Sequence, residues 1–371
     1  MKIGFDAKRA FYNSGGLGNY SRNTILSVSK YYPKNSYTLF TPSTENSIDF
    51  KVPENIKTEV PNGFLGKTFK SYWRTVRITK KIKEYKLDVF HGLSGELPYK
   101  AHQKTNAKLI VTVHDLIFLR YPELYAAVDR KIYLQKTKYA CETADTVIAV
   151  SEQTKTDIIN FLDIPDNKIE VVYQGCDPVF YNDAETGKKI ETAQKYKLPH
   201  KYILNVGTVE KRKNTLSILK ALKHGKIDVE FVIVGKKTDY QNQLLKFAED
   251  NGMTEQITIL NNVPTEDLPA IYRQAELFVY PSYFEGFGIP LIEALYSKIP
   301  VITTKGGVFS ETGGLSSIYV EPDNIENLAE AIKKVLNNSE LREKMINEGY
   351  EFVQKFNEEK IASNLMNVYL K

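Results

Sequence analysis

The sequence predicts an α/β protein of two doubly wound, parallel-sheet domains, and three observations predict it. Short β-branched runs alternate with longer helical patterns, the rhythm of βαβ units. That rhythm stops near Gln174 and restarts near Tyr202. A length of 371 residues suits two domains better than one.

In the first half the expected strands are Ile3–Ala7, Tyr37–Thr41, Val89–Gly92, Leu109–His114, Thr146–Ser151 and Ile169–Val172. Helical patterns between them cover Tyr20–Tyr31, Thr68–Tyr85, Asp129–Ala144 and Glu152–Phe161. The second half continues with Tyr202–Val206, Glu230–Val234, Ile257–Leu260, Leu277–Tyr280, Val301–Thr303 and Ser317–Val320. It closes on helices over Ile325–Asn338, Ser339–Phe352 and Glu358–Tyr369. The expected domains are therefore residues 1–176 and 201–354, joined by a linker over 177–200 that carries Pro178, Pro199 and a polar run. The last helix, about residues 355–371, is available to pack back on the first domain.

Composition narrows the function. The chain is 42% hydrophobic and 26% charged with a net charge of +5, globular and only mildly basic, so no nucleic-acid partner is expected. Cys141 and Cys176 are the two cysteines and form no CxxC pair, which argues against a disulfide framework or structural zinc. No leader-like segment opens the sequence and no apolar run reaches the roughly 20 residues of a membrane span. A cytoplasmic protein is expected, at most peripheral at the inner face of the plasma membrane.

Open α/β sheets bind ligands beyond the carboxyl ends of their strands, so the segments just after each strand carry the search. Ser14-Gly15-Gly16-Leu17-Gly18 follows the first strand and precedes a helix. It reads either as a phosphate approach or as a turn. Gly207-Thr208-Val209-Glu210-Lys211-Arg212-Lys213-Asn214 sets cations before a helix N-terminus, where they are poor dipole complements unless a polyanion sits among them. The other reading is a solvated basic loop. Glu285-Gly286-Phe287-Gly288-Ile289-Pro290-Leu291-Ile292-Glu293 places two carboxylates around a helix start, with Pro290 in the first turn. A carboxylate accepts two hydrogen bonds and can grip two vicinal hydroxyls of a sugar.

Taken in order, these segments resemble the retaining GT-B glycosyltransferases of family four, the mannosyltransferase-like group 1 enzymes. Glu285 and Glu293 match the family's E-x7-E motif, and Gly207 to Asn214 resembles its phosphate loop. Val111-Thr112-Val113-His114-Asp115-Leu116 and Ala144-Asp145-Thr146-Val147-Ile148-Ala149-Val150-Ser151 are similar to its first-domain strands. The resemblance implies two Rossmann-like domains facing across a cleft. It implies Arg212 and Lys213 on the leaving diphosphate, Glu285 and His114 at the donor sugar, and Glu293 on the ribose hydroxyls. Gly16 and Gly207 would approach the phosphates, with the amides of Phe287, Gly288 and Ile289 on sugar or phosphate. Asp115 joins the substrate-binding set, and Asn262, Val263 and Tyr283 would line the base pocket. The chain departs from some relatives at Thr208, where they carry a basic residue, and at Ser310, where many carry proline before the counterpart of Glu311.

The implied reaction is hexosyl transfer with retention from a nucleoside-diphosphate sugar, GDP-mannose first and UDP-sugars next. The acceptor would be a saccharide or lipid-linked saccharide in bacterial surface polysaccharide synthesis. No cofactor and no metal are expected, since the chain has no DxD triplet. An epimerase or phosphorylase on the same architecture is the alternative. A dehydrogenase fits poorly: the loop from Ala7 to Gly15 is too long, and Thr41-Pro42-Ser43 stand where an acid belongs. The basic stretch Lys67–Lys86, with Phe69, Trp73, Val76 and Ile82 among its cations, reads either as a membrane-surface helix or as a core helix with an inward apolar stripe.

Overall fold

The computed structural model describes residues 1–45, 47–48, 50–61, 72–183 and 185–371. It divides into two compact units, residues 1–175 with 356–371, and residues 176–355.

The first unit carries strands β1 (Lys2–Asp6), β2 (Ser36–Phe40), β3 (Ile56–Glu59), β4 (Val89–Gly92), β5 (Lys108–Val113), β6 (Thr146–Ala149) and β7 (Ile169–Val171). They form one parallel sheet in the order β3-β2-β1-β4-β5-β6-β7. Side chains alternate between two buried faces. Leu109, Val111 and Val113 enter one core with Phe90 and Cys141, while Ile110 enters the other with Phe5 and Ile148. A sheet covered on both sides selects β-branched runs, and this is why the strands were visible. Among the described residues before 175, the helices of eight residues or more are α1 (Gly16–Tyr31), α2 (Ile78–Tyr85), α3 (Ala127–Thr143) and α4 (Glu152–Leu162).

Lys67, Phe69 and Lys70 of the expected basic helix lie outside the described residues. In the described part, a π-helical turn at Trp73–Arg77 leads into α2. Trp73, Ile78 and Ile82 are buried in the core, so this apolar stripe faces inward.

In the second unit, β8 (Tyr202–Val206), β9 (Glu230–Val234), β10 (Ile257–Leu260), β11 (Leu277–Tyr280), β12 (Val301–Thr304) and β13 (Ile318–Val320) form a parallel sheet ordered β10-β9-β8-β11-β12-β13. The longer helices are α5 (Thr186–Tyr196), α6 (Thr215–Gly225), α7 (Gln241–Asp250), α8 (Ile289–Tyr296), α9 (Ile325–Leu336) and α10 (Ser339–Val353). The segment 177–200, expected as a linker, belongs to this unit. Within it α5 is a full helix, held by Lys188 and Lys195, each 2.7 Å from the buried Asp267 carboxylate.

The last helix, α11 (Glu358–Leu370), belongs to the first unit. Asn357 caps it, accepting from the Lys360 amide at 2.9 Å. Ile361, Leu365, Met366 and Tyr369 complete the core around Ile3 and Val28.

Candidate active site

In the second unit the strand order reverses between β8 and β11, and ligands of open α/β sheets bind at such a point. Both expected loops emerge there. Gly207, directly after β8, has φ +151, a conformation that L side chains rarely adopt. A Cβ on Gly235, after β9, would lie 1.8 Å from the Gly207 carbonyl oxygen. Gly235→Ala is therefore expected to force these loops apart and cost about 1–3 kcal/mol. A urea midpoint equal to that of the unaltered chain would refute this reading.

From Gly207 the chain makes a short 3-10 turn at Lys211–Lys213, and Asn214, left-handed at φ +53, starts α6. The turn points Arg212 and Lys213 at Glu285, which lies in the loop after β11. Lys213 Nζ is 2.7 Å and Arg212 Nη1 2.9 Å from Glu285 Oε1. The same oxygen accepts from Ser282 Oγ at 2.6 Å and Tyr280 OH at 3.0 Å. Lys213 Nζ also donates to Tyr280 OH at 2.6 Å. Lys213 is 9% exposed and Glu285 8%. Burial opposes ionisation of Glu285, but the charges of Lys213 and Arg212 win and hold its carboxyl at about 2. Burial lowers the Lys213 ammonium from its ordinary value, and Glu285 opposes that shift. Two cations thus meet at the Glu285 carboxylate, and Arg212 Nη2 also donates to Glu210 Oε1 at 2.7 Å.

Gly288, at φ +93, caps α8, with Pro290 in its first turn. The first-turn amides of a helix have no intrahelical acceptor, so Gly288 and Ile289 stand at a positive dipole end. The Phe287 side chain is buried. Glu293, one turn into α8, stands apart from the Arg212–Lys213–Glu285 network. It is half-buried, and its Oε2 accepts from Tyr272 OH at 2.8 Å. Burial pushes its carboxyl up to about 7, with Tyr272 opposing and Asp177 adding to the rise.

The expected base-pocket residues follow other strands. Asn262, exposed and left-handed at φ +58, and the half-buried Val263 come two and three residues beyond β10. The Tyr283 hydroxyl donates to Asp323 at 2.6 Å. Glu311 lies in a short helical turn, Phe309–Gly313, after β12.

The remaining expected residues are in the first unit. β5 ends at Val113, so His114 and Asp115 stand just past a strand end. His114 Nε2 is 2.9 Å from the Leu93 carbonyl oxygen. A carbonyl only accepts, so Nε2 carries the proton and Nδ1 is left as an acceptor. Burial lowers the His114 pKa to about 4, and the ring is neutral at pH 7. Tyr20 packs edge-on against it, centroids 4.5 Å apart. Asp115 Oδ1 accepts from the Ile117 amide at 3.1 Å. Gly16 opens α1 with nothing within 4 Å of where a Cβ would stand, so packing does not require glycine there. Gly18 is the structural one: its Cβ would lie 1.6 Å from the Asn13 carbonyl oxygen.

Sequence reasoning missed Tyr280 and Ser282 as members of the cation–carboxylate network, and Tyr272 as the partner of Glu293. Period-two alternation could have found the first. β11 puts Leu277 and Val279 in the main core, and Phe278 and Tyr280 stack together on the other face, centroids 5.7 Å apart. Tyr272 carries no local signal.

Two parallel sheets of this topology, with loops of this chemistry, define the GT-B class. Two family models match, Glycosyltransferase Family 4 over residues 21–180 and Glycosyl transferases group 1 over residues 188–352. The chain is 30% identical over 266 residues to the O-antigen chain mannosyltransferase RfbU of Salmonella typhimurium, covering 71% of this chain and 69% of that one. It is 26% identical over 294 residues to O-antigen chain mannosyltransferase B of Escherichia coli, covering 78% and 75%. Among solved structures, a sucrose-phosphate synthase from Thermosynechococcus elongatus superposes with a TM-score of 0.80 at 21% identity, covering 100% of this chain and 98% of that one. HepE from Anabaena in complex with UDP-glucose gives 0.76 at 18% identity, covering 99% of both. The chain belongs to the group 1 glycosyltransferases and is an enzyme of that type.

Proposed function

We propose that this enzyme transfers a hexose, with retention, from GDP-mannose to a saccharide or lipid-linked saccharide acceptor in bacterial surface polysaccharide synthesis. The observation that carries the reading is the half-buried Arg212 and the buried Lys213 converging on the carboxylate of Glu285 where the strand order reverses. The two relatives named O-antigen chain mannosyltransferases support the choice of sugar and process.

In the proposed reaction the bond from the anomeric carbon to the diphosphate oxygen breaks, and the acceptor oxygen bonds to that carbon on the same face. The acceptor proton passes to the leaving phosphate. Negative charge builds on the diphosphate, and Arg212, Lys213 and the amides at the start of α8 meet it without reorganising. Glu285 holds both cations in place before the donor arrives and contacts the donor sugar. Glu293 holds the ribose hydroxyls, and Asn262, Val263 and Tyr283 line the base pocket. Gly16 and Gly207 let backbone approach phosphate. Neutral His114 offers Nδ1 as an acceptor to a sugar hydroxyl, with Asp115 beside it.

The test is a thermal-shift series with GDP, UDP and their sugars, followed by product analysis with GDP-mannose and saccharide acceptors. A ligand at about 100 times its dissociation constant adds roughly 2.7 kcal/mol of stability. Stabilisation by GDP over UDP and an axial glycoside product are expected. No stabilisation by any nucleoside diphosphate would sink the assignment, a UDP preference would replace the donor, and donor breakdown without transfer would point to the epimerase or phosphorylase reading.

A further inference from the structure

Strand β4 buries a histidine that the proposed reaction does not use. His91 is 0% exposed, and both of its ring nitrogens have partners. Nδ1 stands 2.7 Å from the hydroxyl of Tyr369 in α11, and Nε2 stands 2.8 Å from the hydroxyl of Thr112 in β5. The Thr112 oxygen lies in turn 2.9 Å from the hydroxyl of Tyr20 in α1. Tyr20 is the ring that packs edge-on against His114, with the two planes 85° apart. Tyr369, His91, Thr112 and Tyr20 thus form one continuous line from the last helix to the histidine just beyond β5. His91 is the sheet partner of Ile110, so strand alternation sets His91, Ile110 and Thr112 on one face. The core on that face is built from apolar side chains such as Phe5, Ile110, Ile148 and Leu365.

The proton positions follow from the partners. Burial, with His114 adding to it, lowers the His91 pKa to about 3, so the ring is neutral and one nitrogen donates while the other accepts. The buried Tyr369 hydroxyl hydrogen needs an acceptor, and among the described residues Nδ1 is the partner it has. Nε2 therefore carries the ring hydrogen and donates to Thr112. His114, among the described residues, makes one side-chain hydrogen bond, from Nε2 to the Leu93 carbonyl. A ring on one bond can pivot about it, and the Tyr20 ring blocks the pivot when Tyr20 is itself held. We propose that Tyr369, His91, Thr112 and Tyr20 are positioning residues that fix the His114 ring, which makes the C-terminal helix a working part of the sugar site. Apolar side chains would fill the same space at a smaller desolvation cost. The orientation of His114 accounts for keeping polar ones in a line that ends on it. The role of His114 at a sugar rests on the glycosyl-transfer reading; the coupling of its ring to α11 does not.

The experiment compares Tyr369→Phe, Thr112→Val and Thr112→Ser with the unaltered chain. It reads turnover of GDP-mannose with methyl α-mannoside as acceptor, GDP affinity, melting temperature and the ring-nitrogen NMR resonances of the histidines. In the unaltered chain His91 should appear as the neutral Nε2–H form. Tyr369→Phe and Thr112→Val should move the His114 ring resonances and lower kcat about tenfold, with GDP affinity unchanged. Thr112→Ser keeps the hydroxyl and should hold kcat within about twofold of the unaltered chain. If Thr112→Val does not fold, Tyr369→Phe, which keeps its ring in the core, carries the test. His91 in the Nδ1–H form, or His114 resonances that stay in place in Tyr369→Phe, overturns the proposal. So does an unchanged kcat in Tyr369→Phe, a Thr112→Ser variant as slow as Thr112→Val, or a kcat loss matched by an equal loss of GDP affinity. Absence of transfer by the unaltered chain is a separate result: it would strike the donor and acceptor reading, and the ring resonances would still decide the coupling.

Discussion

Replacing Lys213 with alanine is expected to cut turnover about 10²–10³-fold, the usual effect of removing one preorganised partner of a developing oxyanion. Glu285→Gln is expected to act differently. The alanine variant leaves Glu285 with Arg212, Ser282 and Tyr280, so its carboxylate stays satisfied. The glutamine variant leaves two neighbouring cations with Lys213 buried and its counter-charge gone, and breaking a buried pair this way costs about 3–5 kcal/mol. Glu285→Gln should therefore be the less stable protein, and a nucleoside diphosphate should restore more stability to it than to Lys213→Ala. Urea unfolding with and without GDP or UDP measures both. A larger loss in Lys213→Ala would show that the lysine acts through packing, and the electrostatic account would fail. The Glu285 carboxyl, held at about 2, adds stability that is present above the ordinary carboxylate range and is lost as pH falls through about 2.

Glu293 gives the second large effect, with the opposite sign. Its carboxyl is raised to about 7, chiefly by burial. Between the ordinary carboxylate value and 7 the folded protein keeps a proton that the unfolded chain has released. Stability contributed by this group is therefore lost as pH rises through that window. Above pH 7, Glu293→Gln should be more stable than the unaltered chain by on the order of 2 kcal/mol, discounted for partial solvent access. Ligand binding should run the other way. A ribose clamp needs the carboxylate, so nucleoside-diphosphate affinity should rise about tenfold from pH 6 to pH 8, as the ionised fraction does. Glu293→Gln should remove that pH dependence. Titration calorimetry at the two pH values decides it: equal affinities in the unaltered chain would remove Glu293 from the ribose.

The parts of the fold read best from sequence were those buried on two faces. Tyr202–Val206, Glu230–Val234 and Leu277–Tyr280 form as expected because two-sided burial writes a continuous apolar run. Strand β3 escaped notice: Ile-Lys-Thr-Glu is a short edge strand, with Lys57 in solvent and Ile56 and Glu59 turned in. Helix α5 looked like a linker because it buries little beyond Thr192, and its anchor, Asp267, is remote in sequence. The same distance limited the site. A loop and its residue types are local, so Arg212, Lys213 and Glu285 could be singled out one by one. Their union around one carboxylate oxygen depends on two strands becoming neighbours. The partner of Glu293, Tyr272, comes from the C-terminal end of a short helix, where no motif marks it.

The assignment of α11 to the first unit has a consequence for biosynthesis. The second unit is one unbroken stretch, residues 176–355, whereas the first is split around it. During synthesis the second unit can therefore close its core while the first still lacks Ile361, Leu365, Met366 and Tyr369. The core of the first unit can be completed only after the whole second unit has been made. A chain stopped after α10 would leave the apolar face around Ile3 and Val28 open to water and to other chains. Joining residues 356–371 ahead of Met1 would instead make the first unit continuous and free its folding from the second.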